Sequence, residues 1–448
     1  MRMKNVNSMF TAFLVTSSLL GMTPVSAQTA PGAPSPVPPP AAAPTTIASS
    51  STNEVQSFYQ TWGKQRIWFR NADNAAVGQL VSILKRAPFE GFAAGPQLAV
   101  QVQAAAAQAA SGSPSDIGTA EQVLSTAWVE YVQAIRRPAP HMIYAIPGLQ
   151  PQSLSVDQIL LTAAAAPSLE QYLSKTSNLN PIYTEIRDAA WADALGTGNM
   201  TPDPRLLANL DRARSIPATG RFMIVNSATQ RLTLYENAQP IDSMKVIVGT
   251  KELATPLISS MMYYVVFNPY WNAPDHLVRK TIAPTMLRQG MHYLKSHGYH
   301  VMVDWTEKSE MIDPSTIDWK AAAAGTLHIR VRQDPGPLNS MGNLKFPFPN
   351  PEDIYLHDTP NKDLFGKNVR DLSNGCVRLE DARRLGRWLL GQDPVAPGTD
   401  PEMHVQLPQG VPIVLTYLTA QVNDGKLTYL PDIYGWDSPE VPQVASTN

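Results

Sequence analysis

Apolar residues recur at three- and four-residue spacing through the first part of the chain and at two-residue spacing through much of the remainder. "TAEQVLSTAWVEYVQAI" puts Val123, Leu124, Ala127, Trp128, Tyr131, Val132 and Ile135 on one helical face, with Thr119 as the expected N-cap and Pro138 as the stop. "SVDQILLTAAAA" and "PSLEQYLSK" repeat the pattern, so residues 53–215 are expected to form an all-helical unit. The aromatics of "FYQTWGKQRIWF" are expected in its core. No self-similarity at a period of 20 to 50 residues is present, which sets solenoids aside.

Near Arg221 the period changes to two. Met223 and Val225, Leu232 and Leu234, and Met244, Val246 and Val248 alternate with polar neighbours, and turn-forming stretches at Asn226–Ala228 and Glu236–Pro240 separate the runs, predicting an antiparallel meander. "SMMYYVVFNPYW" continues as strand. A mixed, partly helical insertion is expected over 275–325, after which "GTLHIRVRQ" and "DIYLHDT" return to strand character. A helix following Cys376 is expected to turn Leu379, Ala382, Leu385 and Leu389 inward, and Asn423-Asp424-Gly425 marks a closing hairpin. The fold class is thus α+β, a helical unit followed by a β-rich unit over 216–438 carrying a helical insertion, with 439–448 as a tail.

Composition changes this picture mainly at the start. The first 27 residues read as an export signal: Arg2 and Lys4, an apolar stretch Met9–Met22 too short to span a bilayer, and small residues Val25 and Ala27 ahead of a cleavage point. An uncleaved membrane anchor would look similar. Gln28–Thr52, rich in Pro, Ala, Ser and Thr and without charge, reads as an extended linker that gives the folded part reach. No later run is long and apolar enough for a transmembrane helix, so a soluble, exported, periplasmic protein is expected. With a formal net charge of −2 the chain has no footprint for nucleic acid.

Export bears on Cys376, the single cysteine among 448 residues. Exported proteins use cysteines in pairs, so a lone one is a reactive thiol, an intermolecular bridge or a buried inert group. A cysteine enzyme needs a thiolate, a base that takes the thiol proton and oxyanion donors. His357, ending a strand-like run, lies 19 residues before Cys376, one loop away. Gly375 and Cys376 offer N–H groups toward a carbonyl oxygen, and a helix start together with Arg378 would depress the thiol pKa. His292, His297 and His300 lack the spacing of a helical ligand pair, so no metal is expected and they read as solvated histidines.

The motif "H-D-T … S-N-G-C-V-R", at His357–Thr359 and Ser373–Arg378, resembles the YkuD catalytic domain of L,D-transpeptidases, and is most similar to the YcbB-like branch of Gram-negative bacteria. "FNPYWNAP", "RQDPGPLNSMGNLKF" and "DIYG" have counterparts in that branch, and the similarity is strong from Arg221 to Trp436. Many YkuD domains carry His where this chain has Asn374, a histidine the YcbB-like branch does not need. No segment of suitable length for an inserted peptidoglycan-binding module is present. The resemblance implies a helical scaffold domain, a β-rich catalytic domain with a capping subdomain at 275–325, and a cofactor-free reaction on peptidoglycan stem peptides. In it Cys376 would be the nucleophile, His357 the general base and acid, and Gly375 an oxyanion donor. Arg378, Ser373, Tyr355 and Asn374 would contact substrate; orienting the nucleophile loop remains open for Arg378 and Ser373, and a structural ion pair for Arg378. It also implies acylation by carbapenems and 3–3 or 1–3 cross-links. The alternatives are a thioester hydrolase or amidase on the same fold, including release or attachment of a wall-linked protein, and a non-enzymatic envelope scaffold with an inert thiol and unidentified envelope partners.

Overall fold

A computed structural model describes residues 48–63, 66–70, 75–306 and 308–438. The expected export signal, most of the expected linker and the expected tail lie outside the described residues. Among the described residues, eight α-helices make up the first unit: α1 (Ala48–Trp62), α2 (Ala75–Arg86), α3 (Gly95–Ala109), α4 (Pro114–Ile135), α5 (Val156–Ala165), α6 (Leu169–Ser177), α7 (Pro181–Thr197) and α8 (Pro204–Ala213). Helix α1 begins at Ala48, inside the stretch expected to be linker.

The stripe read in α4 is its core face. Leu124, Ala127, Trp128, Tyr131, Val132 and Ile135 are buried, Phe58, Ile67 and Trp68 join them, and Val123 is half-buried at the edge. Each large side chain so buried stabilises the unit by about 1.5–3 kcal/mol. The N-cap is Ser113, not Thr119: Pro114 suits the first helical position, and the Thr119 hydroxyl donates within the helix to the Ser115 carbonyl. Glu121 on α4 is buried, yet its carboxylate accepts from the N–H groups of Ile67, Trp68 and Phe69 and from the Tyr59 hydroxyl at 2.8–3.3 Å. It thereby fastens the aromatic segment after α1 to the central helix.

The second unit contains strands β1 (Ile143–Tyr144), β2 (Arg221–Asn226), β3 (Arg231–Glu236), β4 (Gln239–Gly249), β5 (Ile258–Phe267), β6 (Trp271–Ala273), β7 (Tyr299–Met302), β8 (Met311–Ile312), β9 (Arg330–Gln333), β10 (Leu344–Pro347), β11 (Tyr355–His357), β12 (Asp371–Ser373), β13 (Val377–Leu379) and β14 (Met403–Thr416). The meander β2-β3-β4 is antiparallel, as the alternation predicts. The main sheet runs β1-β5-β10-β11-β13-β4-β3-β2-β14, and β14 also pairs with β5, so the sheet closes on itself and hides its edges. Its inner face packs Met223, Val225, Val246, Val265, Phe346, Leu356, Val377 and Leu379 into one core.

Helices α7 and α8 pack on this sheet through Tyr183, Ile186, Leu206 and Leu210 against Phe222, Ile224 and Val414. Arg212 clasps the two units: buried, it pairs with Asp437 at 2.9 Å and donates to the carbonyls of Trp436 and Tyr417.

Strands β6, β9, β7 and β8 form a separate four-stranded sheet. With short helices at Ala283–Gln289, Met291–Ser296 and Trp319–Ala324 it encloses its own core of Val278, Ile282, Tyr293, Val301, Trp319 and Val331. The inserted subdomain therefore reaches beyond 275–325 on both sides. "RVRQ" is a strand, as expected, and it pairs with β6 and β7, with its apolar Val331 in that smaller core.

Candidate active site

Strand register builds the site. β11 lies parallel to β13 with Leu356 opposite Val377 and His357 opposite Arg378, and antiparallel to β10 with Lys345 opposite His357. Alternation sends Leu344, Phe346, Leu356, Val377 and Leu379 into the core. Lys345, Tyr355, His357 and Arg378 then share the opposite face, and Cys376, one step before β13, joins them beside Tyr355. The sulfur and the imidazole stand in adjacent rows on neighbouring strands, roughly 8 Å apart at Cβ for a rise of about 3.3 Å per residue and a strand spacing of about 4.8 Å.

His357 is 5% exposed, and its Nδ1–H donates to the Asp358 carbonyl at 2.6 Å. That bond selects the tautomer in which Nε2 carries the free lone pair. Burial, then the charge of Arg378, pushes the imidazole down to about 3, so it is neutral across the physiological range. Cys376 is half-buried, with its thiol directed to the Asp353 carbonyl at 3.8 Å. Asp353 itself sits in the left-handed region, at φ 51°. Burial pushes the thiol up to about 11, against smaller lowering effects from Tyr355, Lys345 and Arg378.

One expectation about the thiol is corrected here. The residues after Cys376 form strand β13, and the helix begins only at Ala382 with Asp381 as its cap, too far away for its dipole to act on the sulfur. Burial then outweighs the cations, so the pKa rises instead of falling. Moreover, His357 and Cys376 do not hydrogen-bond to each other in this structure; each is directed to a backbone carbonyl.

Ser373 shapes the loop that carries Cys376. It is buried, its hydroxyl donates to the Cys376 carbonyl at 2.6 Å, and it accepts the Gly375 N–H at 3.2 Å. The donor and one acceptor site of the hydroxyl are thus used inside the loop, which ties the backbone around Cys376 together. The Gly375 N–H, expected to face a carbonyl oxygen, is directed to Ser373 Oγ in this structure. Glycine is needed there for another reason: φ is +110°, and a Cβ would lie 3.1 Å from Ile354 Cδ1. Thr255 supports the loop from below, donating to the Gly375 carbonyl at 2.7 Å and accepting the Gly249 N–H at 2.9 Å.

A family model described as an L,D-transpeptidase catalytic domain, YkuD, matches residues 220–399, and one described as a scaffold domain matches 53–189. A Haemophilus influenzae protein named "Putative L,D-transpeptidase" is 30% identical over 379 residues, covering 82% of this chain and 75% of its own. The chain belongs to the L,D-transpeptidase family. A solved structure of an L,D-transpeptidase from Mycobacterium smegmatis aligns at 10% identity with a TM-score of 0.23, over 45% of this chain and 60% of that one, less than two-thirds of its length. At that score it adds nothing to the assignment.

Among the residues of this L,D-transpeptidase singled out from sequence, the fold brings Tyr355, His357, Cys376 and Arg378 to one face. Arg378 has no ion-pair partner among the described residues, and Asn374 is exposed beside the loop. The Tyr355 ring stands edge-on to His357 at 6.0 Å and also interacts with the thiol. Sequence reasoning missed Lys345, whose ammonium lies 4.7 Å from the Tyr355 ring centroid. Its signal was available: a lone charge between Leu344 and Phe346 in a strand must face away from the core. Thr255 carried no such signal, because its partner Gly375 is far along the chain. Of His292, His297 and His300, the three histidines weighed as a metal site, only His292 is exposed. His297 stacks against Tyr299 and His300 pairs with Asp334 at 2.7 Å, so the expectation of solvated side chains fails for both. No group of three or more His, Cys, Asp or Glu suited to a metal ion occurs among the described residues. Nor is any helix among them long and apolar enough to cross a membrane.

Proposed function

We propose that this member of the family is an envelope transpeptidase that cross-links peptidoglycan stem peptides through a thioester on Cys376. The observation that carries this reading is the shared sheet face on which a neutral imidazole, its tautomer set by Asp358, stands one row from a shielded thiol. His357 Nε2 takes the thiol proton as sulfur attacks the carbonyl of the L,D-peptide bond. The carbon–nitrogen bond then breaks, the imidazolium returns its proton to the departing amine of the terminal D-residue, and the thioester remains. An amine of a second stem peptide attacks this thioester, gives a proton to His357 and restores the thiol. The Cys376 N–H serves as oxyanion donor, Tyr355 lines the cleft, and Asn374 and Arg378 contact the donor peptide. The four-stranded subdomain acts as the lid over the donor groove. The acceptor geometry yields 3–3 or 1–3 links.

A neutral resting pair suits this chemistry. Burial pushes the thiol up to about 11 and the imidazole down to about 3, so both shifts favour the neutral pair and the thiolate forms as it attacks. A protein with so quiet a thiol avoids adventitious oxidation and reacts where a substrate fixes the geometry.

Intact-mass spectrometry of the purified chain with a carbapenem, and separately with a stem tetrapeptide ending in diaminopimelate–D-alanine, tests the reading. The expected result is a covalent adduct from each, absent in Cys376→Ala, and cross-linked dimer when a second stem peptide supplies the amine. Folded protein that forms neither adduct sinks the proposal, while a thioester that yields only hydrolysed peptide points to the hydrolase alternative.

A further inference from the structure

Lys345, His357 and Arg378 occupy one row across three adjacent strands, with the imidazole between the two cations. Both cations are half-buried. Among the described residues neither meets a carboxylate; Lys345 rests on the face of Tyr355, and Arg378 has no hydrogen-bond or ion-pair partner. Acidic residues are not scarce, since the chain holds 37 against 35 Lys and Arg. Neighbouring bases find theirs: Lys362 pairs with Asp358 at 2.7 Å, and Arg384 and Arg387 pair with Asp242 and Asp393. Asp358, the acid adjoining His357, is spent on Lys362 and on the N–H of Asn343.

Two half-buried like charges either side of one base cost free energy and hinder the base from accepting a proton. A site keeps such an arrangement when its ligand brings the counter-charge. We propose that Lys345, with Arg378, forms the anion subsite that binds a carboxylate of the donor stem peptide; this rests on the reading of the chain as a stem-peptide acyltransferase.

The subsite does two things. It places the peptide across the row that contains His357, one step from the sulfur, so the carboxylate sets the register of the scissile bond. It also offsets the two cations when substrate arrives, which eases protonation of the imidazole at the moment it takes the thiol proton. The substrate thereby activates the base that acts on it. Lys345 is a positioning and specificity residue; it does not exchange a proton. A stem peptide carries more than one carboxylate, and the terminal one and that of the diaminopimelate side chain are chemically alike.

Calorimetric binding in the Cys376→Ala background separates these sources without requiring chemistry. The ligands are a stem tetrapeptide ending in diaminopimelate–D-alanine and versions with each carboxylate amidated in turn. One amidation is expected to weaken binding about tenfold, which identifies the carboxylate held. Lys345→Gln should weaken binding of the unmodified peptide by about the same factor and erase its advantage over that amide. Lys345→Arg, which keeps the charge, should retain most of the advantage. The inference is overturned if Lys345→Gln leaves the discrimination intact, if it weakens every ligand equally, or if no ligand binds the parent. Should the pattern hold while wild-type protein forms no thioester, the subsite stands and the transferase reading falls; acylation without discrimination gives the reverse.

Discussion

Because Cys376 is the single cysteine, alkylation by iodoacetamide reads one atom. With the thiol near 11, roughly one molecule in a thousand is thiolate near pH 8, against about a quarter for an ordinary cysteine near 8.5. Population alone makes Cys376 roughly 200-fold slower. A more basic thiolate is more nucleophilic, and a Brønsted coefficient of about 0.4–0.5 returns roughly tenfold over this difference. The net expectation is modification about twentyfold slower than free cysteine, with the rate climbing close to tenfold per pH unit until about pH 10. Arg378→Gln removes a charge that favours the thiolate and should slow it further. Intact-mass time courses at stepped pH, with Cys376→Ala as the blank, measure all of this. A rate that levels off below pH 8 would mean a preformed thiolate–imidazolium pair, and the neutral-pair mechanism would be wrong.

Other expectations follow from hydrogen bonds in the two units. Ser373→Ala removes the donor to the Cys376 carbonyl and strands the buried Gly375 N–H, so it should cost about 1–3 kcal/mol of stability and lower kcat more than KM; urea unfolding and acylation kinetics check both. Glu121→Ala leaves the N–H groups of Ile67, Trp68 and Phe69 without their acceptor and should destabilise the helical unit by about 3–5 kcal/mol, while Cys376 alkylation in the folded protein stays unchanged. A thermal midpoint close to wild type would refute that account of Glu121.

The period of apolar residues was enough to separate a helical unit from a β-rich one and to place α4 and the β2-β3-β4 meander, because burial of one face imposes its spacing on the chain. Cys376 and His357 stood out as candidates by residue type and proximity in sequence. Their environment was a matter of tertiary structure. Whether a cysteine precedes a helix or a strand depends on partners recruited from β4 and β11, and that choice removed the helix dipole and left burial to set the thiol. The engagement of the Gly375 N–H by Ser373, the support from Thr255 and the placing of Lys345 beside His357 likewise depend on segments distant in sequence. Local pattern determines which side of a strand a residue occupies; only the register of neighbouring strands decides which charges share that side, and electrostatic energy depends on that separation.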